Sequence, residues 1–237
     1  MHLNGAVVFV TGGNRGLGLA FAKEALKRGA SKVYVGVRQP KNFNVENIQA
    51  VELDVTDPES VQRAAAACGD VNLLVNNAGI ALLSDGALDP GLIDQSERIF
   101  ATNYYGVVRT TQAFADTLGK NAPSAIVNVL SDATWVSAPM LAAYAASKHA
   151  AWSFTNSLRL QTKPRGIEVL GLHVGFLDTD MTAGVDVPKS DPNDVAAAAL
   201  SALEQGSYEV LADAGTEKIK ASLSSDSPAY IHPDLPF

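Results

Sequence analysis

The chain has 237 residues, 47% of them hydrophobic, a formal net charge of −7 and one cysteine, Cys68. A single cysteine excludes an intramolecular disulfide, and an acidic chain without clustered lysines or arginines disfavours nucleic-acid binding. The longest apolar runs are too short to span a membrane and no basic, apolar leader opens the chain, so we expect a soluble cytoplasmic protein.

Short β-branched apolar runs alternate along the chain with longer stretches of helical period. The apolar runs predict strands over residues 6–10, 32–37, 50–53, 71–75, 125–130, 167–173 and 208–212. The amphipathic stretches predict helices over residues 17–28, 58–67, 93–102, 103–118, 142–162 and 192–204. Gly29 and Asp57 stand where a glycine stop and an N-cap belong. This alternation predicts one doubly wound α/β domain over residues 1–237, with a parallel sheet of about seven strands and residues 222–237 as a docked tail.

The first predicted strand runs directly into a glycine-rich turn and then into a helix. The turn reads Thr11-Gly12-Gly13-Asn14-Arg15-Gly16-Leu17-Gly18. Glycines let the backbone turn tightly and approach a pyrophosphate, whose charge is favoured at a helix N-terminus. A glycine-rich turn by itself is often only a tight connection, but its strand–turn–helix position here predicts a dinucleotide site.

The G-x-x-x-G-x-G spacing of this turn resembles the short-chain dehydrogenase/reductase family. The family's other marks follow in order: Asp54, Asn76 to Gly79, Asn103, Ser131, Tyr144 and Lys148. The resemblance covers about residues 5–215. It implies a Rossmann-type fold, reduction of a carbonyl with a nicotinamide cofactor, and a homodimer or homotetramer. One position departs from the pattern, because Val174 stands before Gly175 where proline is usual; we expect the turn to survive.

The resemblance also assigns a set of residues to the cofactor. They are Thr11, Gly12, Asn14, Arg15, Gly16, Leu17, Gly18, Arg38, Asp54, Val55, Asn77, Ala78, Gly79, Tyr144, Lys148, Gly175, Leu177 and Thr179. In this assignment Asp54 and Val55 flank the adenine, and Thr179 contacts the nicotinamide carboxamide. Plainer interpretations stay open: Asp54 as a turn or capping residue, and Asn76-Asn77 as a tie between neighbouring strands.

The end of the second strand bears on the choice between NAD and NADP. It reads Val35-Gly36-Val37-Arg38, without the acid that binds a ribose 2′-hydroxyl in NAD proteins. An arginine there suits a 2′-phosphate, and Arg15 in the glycine turn is placed to reach the same group. Either arginine alone is compatible with an ordinary solvated side chain. Two cations converging on one site in an acidic chain predict NADPH.

Tyr144 and Lys148 lie four positions apart, so they share one face of a helix. Carbonyl reduction places negative charge on an oxygen, which requires a proton donor and hydrogen bonds. We expect the Lys148 ammonium to lower the pKa of Tyr144, the proton donor. The resemblance adds Ser131 to orient the substrate oxygen and Asn103 to hold a water-linked proton path to Lys148, which also binds the nicotinamide ribose. The plainer alternatives are a surface Tyr/Lys contact and, for Asn103, a helix N-cap.

A mostly apolar substrate pocket is predicted around the proton donor. Its residues are Ser131, Ala133, Trp135, Met140, Tyr144, Phe176 and Met181. Such walls favour an apolar or aromatic carbonyl substrate. The histidines lack metal-ligand spacing and Ser131 lacks a G-x-S-x-G frame, so we expect neither a metal site nor a hydrolase. The alternatives to a carbonyl reductase are a non-catalytic NADP(H)-binding sensor and a C=N reductase.

Overall fold

The computed structural model describes residues 1–233 and contains one sheet of seven parallel strands. The strands are β1 (Val7–Thr11), β2 (Lys32–Val37), β3 (Gln49–Glu52), β4 (Leu73–Asn76), β5 (Ser124–Val129), β6 (Ile167–His173) and β7 (Glu209–Leu211). Their order in the sheet is β3-β2-β1-β4-β5-β6-β7. The doubly wound α/β fold predicted from the alternation is therefore confirmed.

Helices cover both faces of the sheet. They are α1 (Gly16–Lys27), α2 (Pro58–Ala67), α3 (Leu92–Asn103), α4 (Tyr105–Lys120), α5 (Ala142–Thr162), α6 (Pro192–Glu204) and α7 (Ala214–Ser222). The predicted caps are confirmed, since Asp57 accepts a hydrogen bond from the Glu59 amide and Gly29 follows α1 with a φ of 86°. Some strand and helix limits coincide with the predicted ones and the others differ by one or two residues, which is usual at fraying ends.

Helix α7 is absent from the sequence-based prediction. Thr216 is its one buried residue, so the segment lacks the apolar period by which a helix is recognised. The helix is instead started by Asp213, whose carboxylate accepts from the Thr216 amide. In the tail that follows, Pro228 is buried and the Ala229 amide donates to Ser222 Oγ at 3.0 Å. Residues 234–237 of the predicted tail lie outside the described residues.

The core lies in two layers, one on each side of the sheet. Successive side chains of a strand point to opposite faces. Val8 and Val10 accordingly pack with α1 and α6, whereas Phe9 packs on the other face against Phe114 of α4, with 4.8 Å between ring centroids. A sheet buried on both faces needs strands that are apolar at every position, which explains the continuous apolar runs.

The strand order reverses direction between β1 and β4, and a crevice opens at their carboxyl ends. The glycine turn follows β1, Asn77 follows β4, Ser131 follows β5 and Gly175 follows β6. Because parallel strands end at the same edge, residues far apart in sequence meet there.

Within residues 1–233 no helix is both long enough and apolar enough to cross a membrane.

Candidate active site

The glycine turn after β1 is shaped by close approach of backbone to backbone. A Cβ on Gly18 would lie 2.4 Å from the Gly12 carbonyl oxygen, and one on Gly12 would lie 3.0 Å from Ala78 Cα. Gly12 and Gly16 also adopt positive φ values of 65° and 51°, which disfavour any side chain. Glycine is therefore required at these positions of the turn.

The N-terminus of α1 presents amides that no side chain caps. Arg15 occupies the N-cap position without a side-chain hydrogen bond, as do the N-cap residues of α3, α4 and α5, whereas α2, α6 and α7 are each capped by an aspartate. Free amides and the positive end of the helix dipole suit an anion. The turn therefore fits the pyrophosphate of a dinucleotide.

The segment after β4 is tied to the glycine turn. Thr11 Oγ1 accepts hydrogen bonds from the amides of Asn77 and Ala78 at 3.0 and 2.9 Å, and Asn77 Nδ2 donates to the Thr11 carbonyl at 2.9 Å. Asn76 is buried, and its side-chain Nδ2 donates a hydrogen bond to Asn128 Oδ1 of β5 at 2.9 Å. The interpretation of Asn76-Asn77 as a tie between strands is confirmed, and the same contacts place Asn77 to Gly79 along the crevice.

At the far end of the crevice, Arg38 follows β2 and is exposed. Asp54 accepts from the Thr56 amide at 2.9 Å and the Thr56 hydroxyl at 2.7 Å. The Thr56 hydroxyl bond lowers the pKa of Asp54, and the nearby Arg38 charge acts in the same direction. Asp54 therefore acts as a turn residue, which is the plainer of its two interpretations, and the charge of Arg38 lies near it. Val55 is buried and packs against Gly106 of α4.

Arg15 does not point to Arg38 in this structure. Its Nη1 lies 2.5 Å from Asp180 Oδ2, and both side chains are 70% exposed. An ion pair this exposed contributes only about 0–1 kcal/mol, so it opens readily. The pairing of Arg15 with Asp180 is a contact that the sequence did not reveal.

Tyr144 and Lys148 project from α5 as their spacing predicted. Lys148 Nζ lies 5.7 Å from the centre of the Tyr144 ring and donates to the Val129 carbonyl at 2.9 Å. Lys148 is 6% exposed, so the interpretation as a surface Tyr/Lys contact is wrong. Burial lowers the pKa of Lys148 to about 8.

The expected lowering of the pKa of Tyr144 is not found. Burial raises that pKa to about 12; a hydrogen bond with Ser131 opposes the rise, and the charge of Asp132 adds to it. The prediction was wrong because it counted the lysine and omitted both desolvation of the phenolate and the carboxylate next to Ser131. Tyr144 in this arrangement holds its proton at neutral pH.

Asn103 joins α3 to the segment after β4 and to α5. Its Oδ1 accepts from the Ile80 amide at 2.9 Å, and its Nδ2 donates to the Ile80 carbonyl at 2.9 Å and to Ser147 Oγ at 3.1 Å. Asn103 is the last residue of α3 and Tyr104 precedes α4, so the interpretation of Asn103 as an N-cap is wrong. A Cβ on Gly79 would lie 3.4 Å from Asn103 Oδ1 and 3.9 Å from Lys148 Nζ, so these three residues meet.

Both the hydroxyl and the backbone carbonyl of Ser131 form hydrogen bonds that fix its position. Its Oγ accepts from the Ala133 amide at 3.1 Å and donates to Asp132 Oδ1 at 2.9 Å. Its carbonyl lies 3.1 Å from Nδ1 of His173, which is fully buried. Burial lowers the pKa of His173 to about 4, so the ring is neutral and Nδ1 carries the proton that this carbonyl accepts.

Sequence reasoning missed His173 because it tested the histidines only for metal spacing. The ring stacks on Trp135 with 4.1 Å between centroids, and Trp152 and Lys220 Nζ lie 6.3 and 5.6 Å from Trp135. Trp135 is 9% exposed and stacks on the ring that binds the Ser131 carbonyl, and its place in the substrate pocket stays a prediction. No local signal marks this stack, since its members come from separate elements.

The other predicted pocket residues lie around the crevice with different exposure. Met140 and Phe176 are half-buried, Ala133 is buried and Met181 is 53% exposed. The Ser84 amide donates to the Met140 carbonyl at 3.1 Å, which brings the loop after β4 against the segment before α5. These two segments form one side of the site.

The turn after β6 survives with valine in place of proline, as expected. The Val174 carbonyl accepts from the Asp132 amide at 3.2 Å, and the Gly175 amide donates to Asp213 Oδ2 at 2.8 Å. Leu177 then pairs with Ser190, and a Cβ on Gly16 would lie 3.1 Å from Thr179 Cγ2. Leu177 and Thr179 therefore lie on the loop that packs against the glycine turn.

This arrangement, a glycine turn at an open helix N-terminus beside a half-buried tyrosine and a buried serine, lysine and asparagine, agrees with the comparison with known proteins. Residues 6–189 match the family model described as short chain dehydrogenase. The chain belongs to the short chain dehydrogenase family. It is therefore a member of a family of oxidoreductases.

Individual members of the family are similar over most of the chain. A short chain dehydrogenase from Burkholderia cenocepacia J2315, solved in complex with NADP, is 36% identical, with a TM-score of 0.89 and 95% of each chain covered. The 3-ketoacyl-(acyl-carrier-protein) reductase from Brucella melitensis, complexed with NADH, is 28% identical, with a TM-score of 0.76 over 84% of this chain and 91% of that one.

The short chain dehydrogenase pigC of Monascus ruber is 31% identical over 204 residues. The match covers 78% of this chain, but this chain spans only 66% of the length of that relative.

Within residues 1–233 no three His, Cys, Asp or Glu side chains come together as a group that could hold a metal ion.

Proposed function

We propose that this short chain dehydrogenase is an NADPH-dependent oxidoreductase that reduces a ketone or aldehyde, and in reverse oxidises the alcohol. The observation that carries the proposal is the meeting of Ser131, Tyr144, Lys148 and Asn103 beside the open N-terminus of α1. A bound NADPH supplies the hydride. The protein's own residues then have to bind the carbonyl, stabilise the oxygen and deliver a proton.

The proposed proton donor is Tyr144. Its pKa of about 12 keeps the hydroxyl protonated at neutral pH, and Ser131 is within hydrogen-bonding reach of it. As negative charge develops on the substrate oxygen, Tyr144 gives up its proton there, and Ser131 adds a hydrogen bond once its hydroxyl turns from Asp132 to the substrate. Lys148 then returns a proton to Tyr144 and regains it from water along a path beside Asn103, and its amine would also hold the nicotinamide ribose.

Support for NADPH comes from the residues at the end of β2. No carboxylate stands where a ribose 2′-hydroxyl would be bound, and Arg38 is exposed there. A carboxylate would repel a 2′-phosphate, whereas a guanidinium binds it with charge-assisted hydrogen bonds. The structure solved with NADP is the more similar of the two reported above.

Two other proposed functions use the same site. A non-catalytic NADP(H)-binding sensor would need no proton donor, and the complete Ser–Tyr–Lys–Asn group argues against it. A C=N reductase would use the same proton donor, but would protonate a nitrogen.

We further propose that residues 1–237 form one cofactor-binding and catalytic domain, with a docked tail from residue 222. We also place the protein in the cytoplasm, where the buried free thiol of Cys68 stays reduced.

Apolar and aryl ketones are expected to be better substrates than keto acids or aldoses. Asp132 is turned toward Ser131, so a carboxylate substrate would meet a like charge there. The decisive measurement is kcat/KM for aryl ketones, aliphatic ketones, keto acids and aldoses, followed at the absorbance band of reduced nicotinamide. Keto acids or aldoses at the top of the ranking would contradict the pocket assignment. No turnover with any compound would favour the sensor.

A homodimer or homotetramer is expected, built on helices α4 and α5. Of the residues that make these helices apolar, Val107 and Ala143 pack into the core, while Ala146 is exposed. Tyr105 and Leu160 are 50% and 79% exposed, which leaves apolar surface for a second copy to cover. Light scattering at micromolar concentration should give two or four times the 24.8 kDa of one chain. A mass of one chain would contradict this expectation.

A further inference from the structure

A short turn follows β5 and begins at Ser131. Ser131 leads into one turn of 3₁₀ helix, Asp132–Thr134, whose last amide donates back to the Ser131 carbonyl at 3.2 Å. Outside the turn, the Asp132 amide donates to the Val174 carbonyl at 3.2 Å. The position of Ser131 thus depends on contacts with other elements as well as on the turn itself.

Two histidine side chains from different elements bind carbonyls at the two ends of this turn. Nδ1 of His173, in β6, lies 3.1 Å from the Ser131 carbonyl oxygen, and Nδ1 of His149, in α5, lies 2.9 Å from the Thr134 carbonyl oxygen. Because a carbonyl oxygen can only accept, the ring nitrogen that bonds it must carry a proton. Each histidine therefore donates to the backbone of the turn.

Aromatic contacts join these two histidines into one group. Trp135, which directly follows the turn, stacks on His173 with 4.1 Å between ring centroids and 16° between ring planes. Trp152 of α5 makes edge contacts with Trp135 and with His149, at centroid distances of 6.3 and 5.7 Å. The four rings therefore link β6, the turn and α5.

The histidine at the Ser131 end is the buried one of the two. His173 is fully buried, whereas His149 is exposed. The second ring nitrogen of His173 lies 3.5 Å from Glu209 Oε1, but Glu209 forms an ion pair with Lys220, and this nitrogen makes no hydrogen bond within residues 1–233. A buried polar atom without a partner costs stability, so packing alone would favour an apolar side chain here. The hydrogen bond to Ser131 is what an apolar side chain would lose.

We propose that His173 is a positioning residue, which holds the Ser131 backbone so that Oγ stays within reach of the substrate oxygen. In this structure the Ser131 hydroxyl donates to Asp132 Oδ1 at 2.9 Å, and its Oγ accepts from the Ala133 amide at 3.1 Å. Rotation about the Cβ–Oγ bond turns the proton from Asp132 to the substrate without moving Oγ. That rotation is productive only while the backbone stays fixed. The inference rests on the proposed function for the reaction, whereas the contact between His173 and Ser131 does not.

Two substitutions separate the hydrogen bond from the ring. His173→Phe keeps an aromatic ring to stack on Trp135 but has no donor. His173→Asn removes the ring and places a side-chain amide near the position of Nδ1, so a donor to the Ser131 carbonyl is kept. Thr162→Val is the matched control, because Thr162 is 4% exposed and its hydroxyl donates to the Ile167 carbonyl at 3.1 Å, at the opposite end of β6.

Catalysis and stability should respond to the two substitutions in opposite order. His173→Phe should change Tm little and lose about five- to ten-fold in kcat for ketone reduction, with KM and the Kd for NADPH little changed. His173→Asn should lower Tm, because the missing ring leaves a cavity, yet keep kcat within about two-fold. Thr162→Val should lower Tm and leave kcat unchanged. A lower kcat in His173→Asn than in His173→Phe is what a merely structural ring would give, and it would overturn the proposal.

A double-mutant comparison needs only the phenylalanine variant. If His173 acts through the Ser131 hydroxyl, its replacement has little left to disturb once that hydroxyl is gone. In a Ser131→Ala background, His173→Phe should therefore lower kcat hardly further. Losses that multiply in full would show that His173 acts on some other group, and they would overturn the proposal.

A spectroscopic readout needs no substrate. Nitrogen NMR of protein that carries isotope-labelled histidine shows which ring nitrogens are protonated, and the His173 signals are those that His173→Phe lacks. A proton on Nδ1 of His173 supports the proposal, and a bare Nδ1 overturns it. Absence of turnover in the unmodified protein would contradict the proposed function alone and leave this measurement intact.

Discussion

Replacing Tyr144 with phenylalanine is expected to reduce carbonyl reduction by roughly 100- to 10,000-fold, the usual contribution of a positioned general acid. The substitution removes the hydroxyl and keeps the ring, so the packing of α5 against the site is preserved. At neutral pH the hydroxyl carries the proton that the substrate oxygen needs, since burial raises the pKa of Tyr144 to about 12. No other hydroxyl of comparable acidity is assigned to that position, because Ser131 serves as a hydrogen-bond donor.

The measurement is kcat/KM with the best ketone of the panel, alongside the dissociation constant for NADPH from fluorescence titration. Binding of NADPH should change little, because the glycine turn and Arg38 are untouched. Tyr230→Phe is the matched control, since Tyr230 lies in the tail and is 55% exposed. A Tyr144→Phe enzyme that kept a tenth of the activity would show that another group delivers the proton.

Replacing Arg38 with aspartate is expected to reverse the cofactor preference. A charge-assisted hydrogen bond contributes about 1.5–3 kcal/mol, which corresponds to roughly 10- to 150-fold in the ratio of kcat/KM for NADPH to that for NADH. The new carboxylate would repel a 2′-phosphate that the Arg38 guanidinium attracts. The same carboxylate could accept hydrogen bonds from a ribose 2′-hydroxyl.

The comparison requires both cofactors at the same substrate concentration and ionic strength. Arg63→Asp on α2 changes the net charge equally at a side chain that is 63% exposed, and serves as control. Arg15 stays in the Arg38 variant and its exposed pair with Asp180 opens readily, so we expect it to retain part of the preference. Equal use of NADPH and NADH by the unmodified protein would remove the basis of this prediction.

Local sequence determined the elements of the fold and several of the site residues. The apolar runs specify strands that are buried on both faces, which is why the parallel sheet follows from the sequence without any knowledge of contacts. The helix over Ala142–Thr162 begins and ends where the pattern predicts, and it places Tyr144 and Lys148 on one face. Helix α7 escaped prediction because its stability comes from the Asp213 cap and from docking, and neither leaves an apolar period.

What the sequence alone determined is therefore the sheet, the glycine turn and the identity of the Ser–Tyr–Lys–Asn group. The tertiary structure decided how those groups are held and charged. His173 and Asp213 reach Ser131 and Gly175 from distant positions, and Asp180 competes for Arg15 across the crevice. In the tertiary structure the pKa of Tyr144 is raised, whereas the sequence analysis expected it to be lowered. The physical reason is that a pKa and a hydrogen bond depend on burial and on distances between elements, which a local pattern of residues does not contain.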